Sequence, residues 1–323
     1  MEIFMSYKST VRSINAAAKR SQRNSERRRR ELEKRQTQAD KLDAQMRNQL
    51  EVEIFENYLE GLKTLHFDSG PSIDWPGISV QAEPTQQFQR SNQVQNQINN
   101  FKPSMFSSKK TERNWQNLQT QFQQAQIEDQ QNYEQAIQEY NRLNTLSHAV
   151  LSGDPVSFSD VLVEFLQSGE VAGLGETLKI RVDDSSRVSI TLNTHSEKII
   201  PKETKSLLQS GKMSIKDTAV SKRNELYQDH VCSAVLRIAR DVFNLLPLEL
   251  VYINAVDELL NSSTGLLEEQ PILSAVLARS TLETFNFEQL DPSDSFQNFA
   301  HNMDFKKTKG FKPVEIINPD ELE

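Results

Sequence analysis

Proline placement constrains this chain more than any other feature. No proline precedes Pro71, and Gly61 is the only glycine before Gly70. Proline lacks the N–H that a helix interior needs, and its ring clashes with the preceding turn. The first 65 residues are instead rich in Ala, Arg, Glu, Lys, Gln and Leu, all strong helix formers. This pattern predicts a helix from Ser6 to Leu65, on the order of 90 Å long at 1.5 Å per residue. Residues 104–152 form a second window without glycine or proline.

The two windows bury themselves differently. Between Lys19 and Lys41 only Leu32 and Ala39 are apolar, so that stretch has little face to cover. From Leu42 the stripe tightens through Met46, Leu50, Ile54, Tyr58, Leu62 and Leu65, with Phe55 and Leu59 beside it. Steps of three and four put such residues on one helical face. The second window carries Trp115, Leu118, Phe122, Ala125, Tyr133, Ala136, Tyr140, Leu143 and Ser147 at near-heptad spacing, interrupted at Asp129. Between the windows, Gly70, Pro71, Pro76, Gly77, Pro84 and Pro103 punctuate a connection that reads as a solvated, mobile linker around Gln86–Asn100. Trp75 and Ile78 would anchor part of it. An antiparallel hairpin of the two helices is the favoured arrangement, and pairing between copies is the alternative.

From Gly153 the composition is that of a folded domain. Asp154-Pro155 opens a helix whose apolar face is Val156, Phe158, Val161, Leu162 and Leu166. Leu178–Val182 and Val188–Leu192 alternate with period two around Asp183-Asp184-Ser185-Ser186 and predict a hairpin. Ile199-Ile200 and Met213–Ile215 are shorter strand candidates. Ser221–Leu246 predicts a helix burying Leu226, Val231, Cys232, Ala234, Val235, Ile238, Val242 and Leu245. Strands follow at Leu250–Ile253 and Ile272–Leu277, a capping box at Ser280–Glu283, a last helix from Asp291-Pro292, and an extended tail from Lys306. The fold expected is α+β: a long N-terminal helical hairpin or coiled coil, then a compact mixed domain. Its divisions are a basic helix (1–66), a Gln/Pro-rich connection (67–103), a second coiled-coil helix (104–152) and an α+β domain (153–323).

Composition narrows the function classes. Apolar residues make up 36% of the chain, and the 10 glycines bring the figure to only about 39%, against about 45–50% for an ordinary globular domain. The polar excess sits in the two helices and their connection. Cys232 is the only cysteine, which excludes a disulfide framework or a cysteine-rich zinc site. No secretory signal opens the chain and no uncharged apolar run approaches membrane-spanning length, so a cytoplasmic protein is expected. The net charge of −8 hides a split: residues 1–50 hold 13 basic and 6 acidic groups, the other residues 24 and 39. A basic arm on an acidic body suggests nucleic acid, a membrane surface, or the acidic body of this or another copy as the arm's partner.

Three clusters are candidates for chemistry. Arg23, Arg27, Arg28, Arg29, Arg30, Lys34 and Arg35 have the density to neutralise phosphates. Glu26, Glu31 and Glu33 interleave, however, and no aromatic residue lies near to stack on a base. Asp183 or Asp184 with Glu203-Thr204-Lys205, in the order helix, three strands, helix, strand, resembles the PD-(D/E)xK nuclease core, Asp184 being the acid favoured. There acids hold a divalent metal that activates water and the lysine stabilises charge. Pro201 just before Glu203 departs from that pattern. Asp257, Glu258, Glu268 and Glu269 flank a predicted hairpin and read as a solvated loop rim with some capacity for a hard cation. The five histidines show no metal-ligand spacing, and no resident cofactor or metal is expected outside the nuclease alternative. The run Lys306–Gly310 reads as a solvated loop.

Five stretches carry a resemblance: Ile200–Glu203, Glu225–Cys232, Tyr252–Asp257, Glu269–Leu273 and Lys307–Glu315. They are similar to segments of uncharacterised bacterial coiled-coil proteins whose C-terminal module resembles one in restriction-endonuclease-like, phage-defence-associated proteins. The resemblance implies a link to defence against phage and supplies no catalytic residues. The function expected is that of a non-enzymatic assembly or interaction protein. It would be oligomeric through its helices, an accessory or sensor subunit with protein partners and no membrane, and its basic arm would contact nucleic acid. A metal-dependent nuclease is the alternative.

Overall fold

Helix formation stops where the prolines begin. In the computed structural model, which describes Arg28 and residues 44–103, 108–166, 177–261 and 263–321, helix α1 (Ala44–Lys63) ends before a tight turn at Leu65–Phe67. Apart from Arg28, the part of the expected long helix before Ala44 lies outside the described residues. The described chain divides into two compact units: residues 74–151, and residues 44–73 together with 152–321.

In the first unit, Asp74 caps α2 (Trp75–Ser79) by accepting the Gly77 N–H at 3.0 Å. A Cβ at Gly77 would stand 2.2 Å from that carboxylate, so the cap requires glycine. Helix α3 (Gln89–Asn99) follows, then the 44-residue α4 (Ser108–Leu151), about 66 Å long. Residues 79–101 run antiparallel along α4. Asn144 Nδ2 donates to the Ser79 carbonyl (3.2 Å), the Tyr140 hydroxyl to the Gln81 carbonyl (3.2 Å), and Gln86 Nε2 to Gln130 Oε1 (2.7 Å). The Phe101 and Trp115 rings meet at 5.5 Å.

The segment expected to be a mobile linker is therefore α4's partner. Ser91, Val94 and Ile98 give α3 an inner stripe that is buried or half-buried. Asp129, the apparent fault in the α4 seam, explains the pairing. It is buried and accepts the N–H groups of Arg90 (3.1 Å) and Ser91 (2.9 Å) and the Ser91 hydroxyl (2.7 Å). These are orphan donors of the first turn of α3, whose own N-cap, Phe88, offers no side-chain acceptor. Burial pushes the Asp129 carboxyl up, but these donors and the Arg90 charge more than offset it and hold it below its ordinary value.

In the second unit, Asp154 caps α5 (Pro155–Leu166) through the N–H and hydroxyl of Ser157, at 2.8 and 2.6 Å. Strands β1 (Thr177–Val182) and β2 (Val188–Asn193) form the expected hairpin, with Val188, Ile190 and Leu192 fully buried. Ile199 closes a short helix, α6 (Ser196–Ile199), where a strand was expected. Strands β3 (Glu203–Leu207) and β4 (Met213–Asp217) make a separate two-stranded sheet. Helix α7 (Val220–Leu245) carries the chain across to β5 (Leu250–Leu260), which pairs parallel with β2 and antiparallel with β6 (Leu267–Ala278). Every residue of the predicted inner face of α7 is buried.

A short helix, α8 (Arg279–Leu282), has Ala278 as its N-cap, so the Ser280–Glu283 capping box does not form. The expected last helix is a 3-10 turn, Asp294–Asn298, followed by β7 (Ala300–Asn302) on the edge of the sheet. The tail closes as a hairpin of β8 (Asp304–Lys306) and β9 (Gly310–Lys312). The main sheet thus runs β1-β2-β5-β6-β7. The α+β class holds, and no described helix is long and apolar enough to cross a membrane.

Both tryptophans, Trp75 and Trp115, lie in the 74–151 unit, so their fluorescence reports on it alone. Asp129→Ala is expected to lower that unit's stability in urea by about 1–2 kcal/mol, the usual loss of a helix cap. Because the folded carboxyl is held low, the contribution is present above the ordinary aspartate pKa. It is lost as pH falls below that value, and the variant should lack that acid dependence.

Candidate functional site

The residues singled out from the sequence do not share one site. Of the basic cluster, Arg28 is exposed and helical. Arg23, Arg27, Arg29, Arg30, Lys34 and Arg35 lie outside the described residues.

The nuclease-like residues have separate partners. Asp184 sits in the β1–β2 turn, where Oδ1 accepts the N–H groups of Ser186 (2.8 Å) and Arg187 (3.0 Å). Those donors hold its carboxyl below the usual range, Ser186 first. Glu203 and Lys205 lie beyond the other end of β2, on β3. There Glu203 is exposed and Lys205 pairs with Glu51 of α1 at 3.5 Å. Among the described residues no group of three or more His, Cys, Asp or Glu side chains is placed to hold a metal ion.

The acidic patch divides in two. Asp257 is not on a loop rim. It lies in β5 with 3% of its surface exposed, and its carboxylate accepts the Tyr227 hydroxyl of α7. With Tyr227 donating to Asp257, the Thr194 hydroxyl at 2.9 Å donates to the Tyr227 oxygen. Phe311 of β9 packs edge-on against Tyr227 with ring centres 5.0 Å apart, and Asn224 Nδ2 holds the Lys307 carbonyl at 2.8 Å. Lys307, read as part of a solvated run, pairs with Glu225. Three of the resembling stretches therefore meet at one buried polar knot, and its chemistry is structural. The hydroxyls and carboxylate satisfy one another in a buried network. Glu258, Glu268 and Glu269 stand further out on the β5–β6 hairpin, where Glu269 binds Lys179 at 3.1 Å.

A second polar cluster escaped the sequence reading. One face of α7 carries Ser233, Arg237, Arg240, Asp241 and Asn244 at helical spacing. These side chains take up the main chain that follows α1. Ser233 Oγ accepts the His66 N–H (3.0 Å) and bonds its Nδ1 (2.7 Å). The Asp241 carboxylate accepts the Gly70 N–H at 2.7 Å and Arg237 Nε at 2.7 Å. Asn244 donates to the Gly70 carbonyl (2.7 Å), and its own carbonyl accepts the Ile73 N–H (2.9 Å). Arg240 donates to the His66 carbonyl and lies 3.9 Å over the Phe287 ring. The sequence signal was present as a polar stripe opposite the apolar one, but nothing in it named the segment that the stripe would hold.

Three further groups, Cys232, His66 and His301, are enclosed or hydrogen-bonded. Cys232 is fully buried, and burial, helped by the charges of Asp229 and Asp291, pushes its thiol well up, away from the reactive thiolate. His66 is 1% exposed, and among the described residues its Nε2 has no hydrogen-bond partner. Burial, with the Arg240 charge adding, lowers its pKa. His301 Nδ1 lies 3.0 Å from the Phe299 carbonyl.

Comparison with protein-family models, with curated proteins and with solved structures finds no match.

His66 gives a pH prediction. Its folded pKa lies below the ordinary 6.5, so the unfolded chain takes up protons first as pH falls. Stability should drop below about pH 6.5, by at most about 1.4 kcal/mol per pH unit from this group. His66→Asn, which keeps a polar atom facing Ser233, should flatten that slope in urea denaturation at pH 7 and pH 5.

Proposed function

We propose that the chain is a non-enzymatic assembly protein that associates with copies of itself along α1. One observation carries this. The stripe Met46, Leu50, Ile54 and Tyr58 runs along α1 and is only partly covered, the Tyr58 hydroxyl donating to the Ile199 carbonyl at 2.6 Å. Met46 is 50% and Tyr58 43% exposed, and Leu50 and Ile54 are half-buried. Of the apolar residues of α1 only Val52 and Leu62 are buried. In sequence the same step of four continues back to Leu42. A helix that keeps such a stripe in solvent gains by pairing it with another helix. The buried polar groups add support of another kind, since Asp129, Asp241, Ser233, Tyr227 and Asp257 all tie chain segments together. The placement of Asp184, Glu203 and Lys205 gives the nuclease alternative no support.

The setting proposed follows the resemblance: an accessory subunit of a bacterial anti-phage assembly, with Arg23–Arg35 offering a contact to nucleic acid.

Light scattering at tens of micromolar should give a multiple of the 37.0 kDa chain mass. Met46→Glu with Leu50→Glu should weaken association at least tenfold without changing the circular dichroism. A mass of one chain at that concentration, with no partner retained from the native cell, overturns the reading.

A further inference from the structure

The β3–β4 ribbon has a free edge. Among the described residues β3 and β4 pair only with each other, apart from the main sheet. A bare two-stranded ribbon is marginal in water and needs a helix or further strands against it. Helix α1 supplies part of that support. Asn48 Nδ2 donates to the Gly211 carbonyl at 3.0 Å, and Lys205 of β3 pairs with Glu51 at 3.5 Å. Strand β3 is in the closer contact with α1, which leaves β4 as the outer strand.

The ends of the ribbon fix which backbone groups of β4 are unused. The Leu208 N–H donates to the Lys212 carbonyl at 2.9 Å, and the Thr218 N–H to the Lys202 carbonyl at 2.8 Å. Bonded and non-bonded residues alternate along an antiparallel pair. Lys212, Ser214, Lys216 and Thr218 therefore bond to β3, and the N–H and C=O groups of Met213, Ile215 and Asp217 point away from it. Among the described residues no hydrogen bond reaches those groups. Ile215 is 48% exposed, and Lys216 and Asp217 are exposed beside it. An edge of this kind is a template for another strand.

The sequence of β4 suits its own copy. Two antiparallel β4 strands bond only where an outward residue meets an outward residue, so the two-fold axis falls on a residue and not between two. Centred on Ser214, the pairing sets Lys212 against Lys216 of the second copy. Centred on Lys216, it sets that lysine against itself. Like charges directly opposite one another destabilise a pair. Centred on Ile215, the pairing overlaps the whole strand and opposes no like charges. Lys212 then faces Thr218, Met213 faces Asp217, Ser214 faces Lys216, and the exposed Ile215 meets its own copy on the axis.

We propose that β4 pairs antiparallel with β4 of a second copy about Ile215, joining the two ribbons into one sheet of order β3-β4-β4-β3. The pairing rests on the self-association reading and gives it a second contact with a fixed register.

The test is disulfide trapping at the concentration used for light scattering. Ser214 and Lys216 of opposite copies form a non-hydrogen-bonded pair with Cα atoms about 4.5 Å apart, inside disulfide range. Two copies of Ser214, or of Lys216, stand roughly 8 Å apart, outside it. An equimolar mixture of Ser214→Cys and Lys216→Cys protein should form linked dimers at least fivefold faster than either alone. The native Cys232 is buried and does not compete. Adding Ile215→Pro to both should lower the yield at least fivefold, because it removes an outward N–H and leaves the bonds to β3 in place. Ile215→Lys, which puts two charges on the axis and asks nothing of the backbone, should do the same. A mass of several chains without preference for the mixed link, or a link undiminished in both Ile215 variants, overturns the pairing and leaves association along α1 standing. A preferred mixed link with a mass insensitive to Met46→Glu/Leu50→Glu supports the pairing and overturns the α1 reading. A mass of one chain overturns both. Retention of another protein from the native cell by the unmodified chain but not by Ile215→Pro, without the mixed link, assigns the edge to that partner and overturns the pairing.

Discussion

The second unit depends on α7 being a helix with two different insides. One face is apolar and packs on the sheet. The other is polar, yet largely closed off, because it holds the main chain between α1 and Ile73. A turn-and-strap segment has no ladder of its own, so its N–H and C=O groups need partners once buried. Asp241, Arg237, Arg240, Asn244 and Ser233 supply them. A buried carboxylate is costly alone, but here it has both the Arg237 guanidinium and the Gly70 N–H. Arg279 extends the same logic to the end of α7. Its guanidinium donates to the carbonyls of Phe243 (2.8 Å), Leu246 (2.7 Å) and Leu248 (2.7 Å), which closes the helix terminus and ties it to the end of β6.

Elements with one strong period were legible in the sequence. The alternation in Leu178–Val182 and Val188–Leu192 gave the hairpin, and the stripe from Leu226 to Leu245 gave the inner face of α7. Elements whose partner is polar were not. Gln89–Asn99 has weak apolar periodicity and reads as linker, because its helix start is capped by Asp129 nearly forty residues away. The same residue read as a seam fault for the same reason. Asp257 read as solvated because Leu250–Ile253 looked like a short strand. The true strand runs seven residues further and is buried continuously from Val251 to Asp257, which places Asp257 against Tyr227. Ile199-Ile200 shows the reverse error, where two β-branched residues suggest a strand but close a short helix turn.

The half-exposed stripe of α1 and the leucine-tipped β5–β6 hairpin are exposed surfaces rather than converging sets of reactive groups. The polar clusters that do converge are turned inward. Tyr227, Asp257 and Thr194 fasten α7 to β5 and the segment after β2, and His66 with Ser233 fastens α1's end to α7. These buried polar groups hold long elements in register.

The capture of the strap by α7 is the claim on which the second unit rests, and native-state hydrogen exchange tests it most directly. The amides of Gly70 and Ile73 donate to Asp241 and to the Asn244 carbonyl. Both should be protected far beyond a free loop, and Asp241→Ala should release Gly70 while the β5–β6 amides stay protected. Exchange of Gly70 and Ile73 at unstructured rates in the unmodified protein would contradict it.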